Sequence, residues 1–191
     1  MSEAWILRRL VRPGDHVQRV LTPAEVMRSD AVSRARQIED DSLGRRAAHG
    51  ATNGYRGGLE LHLAGGRGQG LFASYMGVEH VKGDINDPHV AGYGVRSTYH
   101  RRGRLIVQAD DVRPLVLVVL DERSEKTRVS GAIIGYMDPE HARSNANWYP
   151  GPRADRPAWF VPQSALWPIS DLLHPSVDVQ SFTADLVDEL R

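Results

Sequence analysis

The sequence contains no cysteine, so neither a disulfide framework nor a thiolate zinc site is available to it. Lysine is nearly absent: of 24 basic residues only Lys82 and Lys126 are not arginine. Arginine suits bidentate phosphate contacts, although a GC-rich coding sequence produces the same bias. Net charge is also missing, because 24 acidic residues offset the basic ones. That excludes a generally basic coat for nucleic acid and leaves such binding to local patches. Long apolar runs are absent too. The longest, PLVLVVL at residues 114–120, has the length of a buried strand and falls far short of the ~20 residues of a membrane helix. No membrane role is expected. The first residues, MSEAWILRRLVRPGD, lack the apolar core and cleavage site of a secretory signal, which makes a cytoplasmic location the expectation.

What is there supports one well-buried domain in a chain of 191 residues. Thr22-Pro23-Ala24-Glu25 reads as a helix start, with Thr22 as N-cap and proline at the first helical position. Met27, Ala31, Ala35 and Ile38 follow at helical spacing and predict its packing stripe, with an end near Leu43-Gly44. Residues 45–58 read as a glycine-rich linker. Residues 59–76 are ambiguous: LELHL alternates like a strand, whereas LFASYM is helical. Gly65, Gly66, Gly68 and Gly70 form either a loop between the two or packing positions on one long helix. Further on, residues 93–99 and 104–108 predict an antiparallel hairpin about the turn His100-Arg101-Arg102-Gly103. Strands at 115–120, 128–136 and 159–161 follow. Asp138-Pro139-Glu140 opens a short helix, and helical pieces are expected at 164–173 and 182–190. The order predicts an α/β (α+β) fold, a single mixed β-sheet with flanking helices. The division is an N-terminal helical extension and linker (1–56), a core (57–175) and a C-terminal helix (176–191).

Several motifs bear on chemistry. GGRGQG invites a phosphate-loop reading, yet it lacks the terminal Gly-Lys-Ser/Thr and is one residue short of Gly-x-Gly-x-x-Gly. Glu60 and His62, on an alternating segment, share a face near Gln69. Metal-assisted phosphodiester cleavage wants two or more carboxylate oxygens on the cation. Near the 93–108 strands the available acids are Asp84 and Asp87. Arg96 shares a strand face with Gly94; its guanidinium can clamp a phosphate but cannot act as a base. His100, Arg101, Arg102 and Arg104 form the best basic patch, suited to sequence-independent, salt-sensitive phosphate contacts. Asp110-Asp111 reads as a solvated turn. Trp148, Trp159, Phe160 and Trp167 are expected to close the core, with a protein-partner surface as the lesser use. No aromatic platform interleaved with basic residues is evident for single strands.

Six segments in order, GGRGQGLFASYMGV, DPHVAGYGVRS, RLIVQADD, PLVLVVL, GAIIGYMDPEHA and WFVPQSALWPISDL, carry a resemblance across residues 57 to about 173. The chain resembles a group of small phage and prophage proteins whose core is similar to the PD-(D/E)XK nuclease superfamily. The resemblance implies a restriction-endonuclease-like core and a Mg²⁺ or Mn²⁺ site. It places the family's Gly-Glu on Gly68-Gln69, its Pro-Asp on Pro88-His89 and its Glu-Val-Arg on Gly94-Val95-Arg96. The resemblance thus implies Gln69, His89 and Arg96, and a nearby acid, Asp87 or Asp84, is expected to take the vacated carboxylate place; the candidate catalytic set is then Gln69, Asp87, His89 and Arg96, with Asp84, Asp87 and His89 as metal ligands. Gln69 is a neutral, weaker ligand, His89 favours zinc or manganese over magnesium, and Gly94 supplies nothing. The expected function is a phage-type accessory protein of a bacterial host's cytoplasm. It would bind nucleic acid through Arg96, His100, Arg101, Arg102 and Arg104, with weak or lost cleavage. The alternatives are an active divalent-metal nuclease and a protein-binding module acting on a host factor.

Overall fold

A computed structural model describes residues 16–42, 58–80, 89–121, 128–145, 147–149 and 158–172. The helical piece expected at 182–190 lies outside the described residues, as does the linker expected at 45–58 except for Gly58, which is instead helical. Strand β1 (Val17–Val20) leads into helix α1 (Pro23–Ser42). The start of α1 is a reciprocal cap. Glu25 N donates to Thr22 Oγ1 at 3.3 Å, and Thr22 N donates to Glu25 Oε2 at 2.7 Å. That backbone hydrogen bond from Thr22, ahead of lesser contributions, holds the Glu25 carboxyl below its ordinary range.

The stripe expected on α1 faces water instead of the core. Met27 is 74% and Ile38 69% exposed, and Ala31 is exposed as well. The buried face is Val26, Ser29, Val32, Ser33 and Arg36. The reason lies in the neighbouring helix α2 (Gly58–Met76), which is continuous through all four glycines. The strand reading of residues 59–63 is thus corrected, and the packing-glycine alternative is the one the fold adopts. On α2, Gly66 and Gly70 lie one helical turn apart against Ser33 and Ser29, and a Cβ on either would overlap a serine hydroxyl. Small residues on both helices bring the backbones close, and larger apolar ones are excluded from that seam.

The strands are β2 (His89–Val90), β3 (Tyr93–Thr98), β4 (Leu105–Gln108), β5 (Leu115–Leu120), β6 (Ser130–Met137), β7 (Asn147–Tyr149) and β8 (Ala158–Val161). Helix α3 (Pro139–Asn145) follows β6, and two 3₁₀ turns, Gln163–Ala165 and Ile169–Leu172, end the described chain. Five strands form a mixed sheet in the order β1-β6-β5-β3-β2, with β3 and β5 parallel and the other pairs antiparallel. The remaining three make a second sheet, β4-β8-β7. The fold is therefore mixed α and β, but the expectation of a single sheet is corrected to two.

The expected 93–108 hairpin does not form. Strand β3 has β5 along one edge and β2 at the start of the other. The tight hairpin is β2–β3, closed by Ala91 and Gly92 at φ 51° and 83°, the positive-φ pair that a two-residue hairpin turn requires. Strand β4 leaves the five-stranded sheet and pairs with β8, matching Leu105 to Val161 and Ile106 to Phe160. Alternation then buries Leu105 and Val107 and turns Ile106 outward.

Strand β5 is buried at every residue. Aromatic rings line the core in edge-to-face contacts: Phe72–Tyr93 at 5.7 Å, Tyr93–Tyr136 at 6.3 Å and Tyr136–Trp167 at 5.4 Å. Trp167 thus closes the core, as expected from the sequence, and its backbone pairs with Tyr136 beyond the point where β1 ends on β6.

Candidate functional site

Those of the residues grouped into one site by the sequence that are described lie on two faces of the five-stranded sheet. Gly68 of α2 sits against Ser97 and Val118, so those side chains face the helix. Their strand neighbours Arg96 and Leu117, a register pair, face the other way. His89 pairs with Gly94, two residues from Arg96, and so shares the Arg96 face.

Gln69 belongs to the helix side. It is buried in the α1–α2 seam, where its Oε1 accepts from Arg36 Nη1 at 2.6 Å and lies 3.3 Å from His80 Nε2. Ser29 Oγ is 3.1 Å from His80 Nδ1, and Ser33 Oγ donates to the Ser29 carbonyl at 2.7 Å. An amide oxygen only accepts. The arrangement therefore fits a neutral imidazole that donates from Nε2 to Gln69 and accepts at Nδ1 from Ser29. Burial pushes the His80 pKa down to about 4, assisted by the charges of Arg36 and Arg28. Burial also lowers the pKa of Arg36, which has no carboxylate within ion-pair distance among the described residues. Nearer the rim of this seam, Arg67 grips Asp30 through two hydrogen bonds at 2.8 and 3.0 Å. His62 pairs with Asp40 at 3.3 Å. Glu60 and His62, read as sharing a strand face, are two positions apart on a helix and point in different directions.

On the opposite face, Arg96 is half-buried and donates from Nη2 to Asp111 Oδ1 at 2.6 Å. Asp111 Oδ2 accepts from Gln108 N at 2.7 Å. Asp111 is thus the anchor of the turn after β4, not a solvated acid, while Asp110 is exposed. Arg143 of α3 fastens the same turn, donating from Nη2 to the carbonyls of Gln108, Ala109 and Asp111, with its guanidinium over the Trp159 ring. His89 is exposed on β2. Asp84 and Asp87 lie outside the described residues. Among the described residues no three carboxylate or imidazole groups converge closely enough to hold a metal ion. Gln69 lies across the sheet with its oxygen engaged by Arg36 and so does not join His89 at a shared cation; of the expected ligands Asp84, Asp87 and His89, His89 alone is among the described residues.

The basic turn is built firmly. Gly103 N donates to His100 O at 2.7 Å, and His100 N to Thr98 Oγ1 at 3.0 Å. Gln163 Nε2 donates to the carbonyls of Arg101 and Gly103 at 2.9 and 3.0 Å. A Cβ on Gly103 would come within 2.9 Å of the His100 carbonyl, so the turn needs glycine there. His100, Arg101, Arg102 and Arg104 are exposed. Among the described residues no carboxylate lies within ion-pair distance of the three arginines. Beside the turn opens a cleft of about 410 Å³ lined by Arg96, Ser97, Thr98, Gly103, Arg104, Ile106, Leu117 and Phe160. The structure therefore brings Arg96 and Arg104 together around one cleft, with Arg101 and Arg102 on the adjoining turn, and leaves Gln69 apart.

The roles of four residues in this architecture escape a reading of the sequence: His80, Asp111, Gln163 and Phe160. His80 follows α2 with no periodic neighbour, and Gln163 is an isolated polar residue. Asp111 looks like one half of a solvated pair. Phe160 carried a signal, since it alternates with the inward-facing Val161, but its place beside Arg104 depends on the β4–β8 pairing. Comparison with known proteins places the chain beside none of them: no family model matches it, no curated protein is significantly similar in sequence, and no solved structure is significantly similar in fold.

Proposed function

We propose that the protein binds the phosphate backbone of nucleic acid through the 100–104 turn, as an accessory binder of the phage type that needs no metal ion. The observation that supports this reading is the turn itself: three exposed guanidiniums within four residues, on a backbone held by Gln163. Guanidinium groups present forked donors that match phosphate oxygens. A rigid turn loses little further freedom when they bind, which favours retaining the charges for contact over leaving them as a solvated tip. Arg96 contributes less than the sequence suggests, because one of its donors is committed to Asp111. Gln69 gives no support to a cation shared with His89.

Fluorescence anisotropy with a labelled duplex across a salt series tests the reading. The affinity of the native protein is expected to fall steeply with salt and to be indifferent to EDTA. Replacing Arg101, Arg102 and Arg104 together by alanine is expected to reduce the log–log salt slope by about 2 to 3, close to one per lost phosphate contact. An unchanged slope would overturn the proposal. Binding that vanishes in EDTA and returns with Mn²⁺ would instead favour a metal-dependent nuclease.

A further inference from the structure

We propose that the tip of the basic turn enters the minor groove of A·T-rich duplex DNA, with Arg101 and Arg102 reaching between the strands and Arg104 holding an adjoining phosphate. The proposal rests on the preceding reading, that the turn contacts phosphate, and goes further by naming the form of nucleic acid and the groove. Three observations carry it.

The first is the make-up of the tip. Gly103 N donates to the His100 carbonyl, which closes a turn with Arg101 and Arg102 as its two central residues. Neither has a positive φ, so the hydrogen-bonded turn is of type I. Both arginines are exposed, and among the described residues neither guanidinium has an ion-pair or hydrogen-bond partner. Two adjacent cations without a counter-charge gain most where negative potential is deepest. In duplex DNA that place is the narrow minor groove of A·T tracts, which attracts inserted arginine.

The second is reach. The strands that flank the turn do not pair with each other: β3 takes β5 in one sheet and β4 takes β8 in the other. The turn is therefore not the end of a two-stranded ribbon, the element that the ~12 Å major groove admits. It bridges two sheets, and Gln163 fastens it from below by the carbonyls of Arg101 and Gly103. Side chains alone extend from such a turn. They suit the minor groove, ~6 Å wide, which arginines enter while the backbone stays at its mouth.

The third is the chemistry of HRRGR. It holds no asparagine or glutamine to pair with adenine in the major groove and no apolar wedge to part the bases. A guanidinium is more weakly hydrated than an ammonium, so it gives up less solvation on entering a narrow groove. There a G·C pair projects the exocyclic amino group of guanine, and an A·T pair does not. Selection of A·T by width and by the lack of that donor follows.

The test uses the full chain and fluorescence anisotropy at one low salt, with four labelled duplexes of equal length: A·T, G·C, inosine·C and an RNA duplex. Inosine lacks the amino group of guanine, so its pair resembles A·T in the minor groove and G·C in the major groove. The A·T and inosine·C duplexes are expected to bind about tenfold tighter than G·C, the scale of one well-read base pair. The RNA duplex, whose minor groove is wide and shallow, is expected to bind no tighter than G·C. The Arg101→Lys, Arg102→Lys double variant keeps both charges at exposed positions. It is expected to retain the native salt slope while its preference for A·T falls below about threefold. Equal binding of all four duplexes, weakened in the Arg101→Ala, Arg102→Ala variant, would overturn the groove and leave the phosphate reading standing. Inosine·C binding like G·C, or RNA binding tighter than A·T, would overturn the groove as well. A preference unchanged in the lysine variant would take the contact away from these two arginines. Failure of every duplex to bind at low salt would overturn both readings.

Discussion

His80 shows how one side chain reports the state of the whole α1–α2 seam. It is 6% exposed, lies between Ser29 and Gln69, and faces the cationic Arg36, with Arg28 contributing from the rim. Arg28 is itself partly offset by Glu79 at 3.4 Å. Unfolded, the imidazole titrates near 6.5; folded, it does so at about 4. Between those values the unfolded chain holds a proton that the folded chain refuses, so stability falls as pH falls from 6.5 toward 4. The span corresponds to on the order of 3 kcal/mol. Glu25 loses its own contribution only below 4.5, where its depressed carboxyl begins to protonate. Urea unfolding at pH 7.5 and pH 5 therefore isolates the histidine. The native protein is expected to lose stability between the two, and His80→Gln to lose much less. Equal losses in both proteins would place the sensitive group elsewhere.

At the scale of elements, the close approach of α2 to its neighbours decides what the glycines do. A Cβ at Gly65 meets nothing within 4 Å; one at Gly66 would overlap Ser33 Oγ and come within 2.9 Å of the Ser29 carbonyl. One at Gly68 would overlap Ser97 Oγ and come within 2.8 Å of Ser97 Cβ. Alanine in a helix interior is favoured over glycine by ~1 kcal/mol, and forced overpacking costs ~1–3 kcal/mol. Gly65→Ala is thus expected to raise the urea midpoint, while Gly66→Ala and Gly68→Ala lower it. A shift of the same sign in all three would contradict the packing account. These glycines also explain why the period of α1 points to the wrong face. Its cap was legible because Thr22 and Glu25 satisfy backbone groups locally. Its buried face was not, because Ser29, Ser33 and Arg36 are buried to match Gly66, Gly70 and Gln69, and nothing in the period of α1 alone contains that match.

At the scale of the whole molecule, local pattern specified strands far better than it specified their partners. The apolar run of β5 could only be a buried strand, and alternation marked β3 and β4. A strand, a turn and a strand nevertheless do not state that the second pairs back on the first. Here β3 takes β5 in parallel, and β4 takes β8 across about fifty residues of chain. The candidate site inherits that nonlocality. Its arginines were legible as a cluster in sequence, whereas Phe160 reaches them only through β8. The same reasoning governs the N-terminal segment. Residues 17–20 pair with residues 130–133 along an edge of β6, and Leu21 and Val26 are buried in the common core. Burying each such side chain contributes roughly 1.5–3 kcal/mol. Helix α1 also supplies Arg36, Ser29 and Ser33 to the polar seam over Gln69 and His80. A chain that begins at residue 57 would expose the β6 edge and that seam together, a loss comparable to the ~5–15 kcal/mol of net stability typical of a domain. It is expected to show no cooperative urea transition and to bind a hydrophobic dye, while the full chain unfolds in one step. A sigmoidal transition in the shortened chain would mean that residues 57–191 fold without the N-terminal segment.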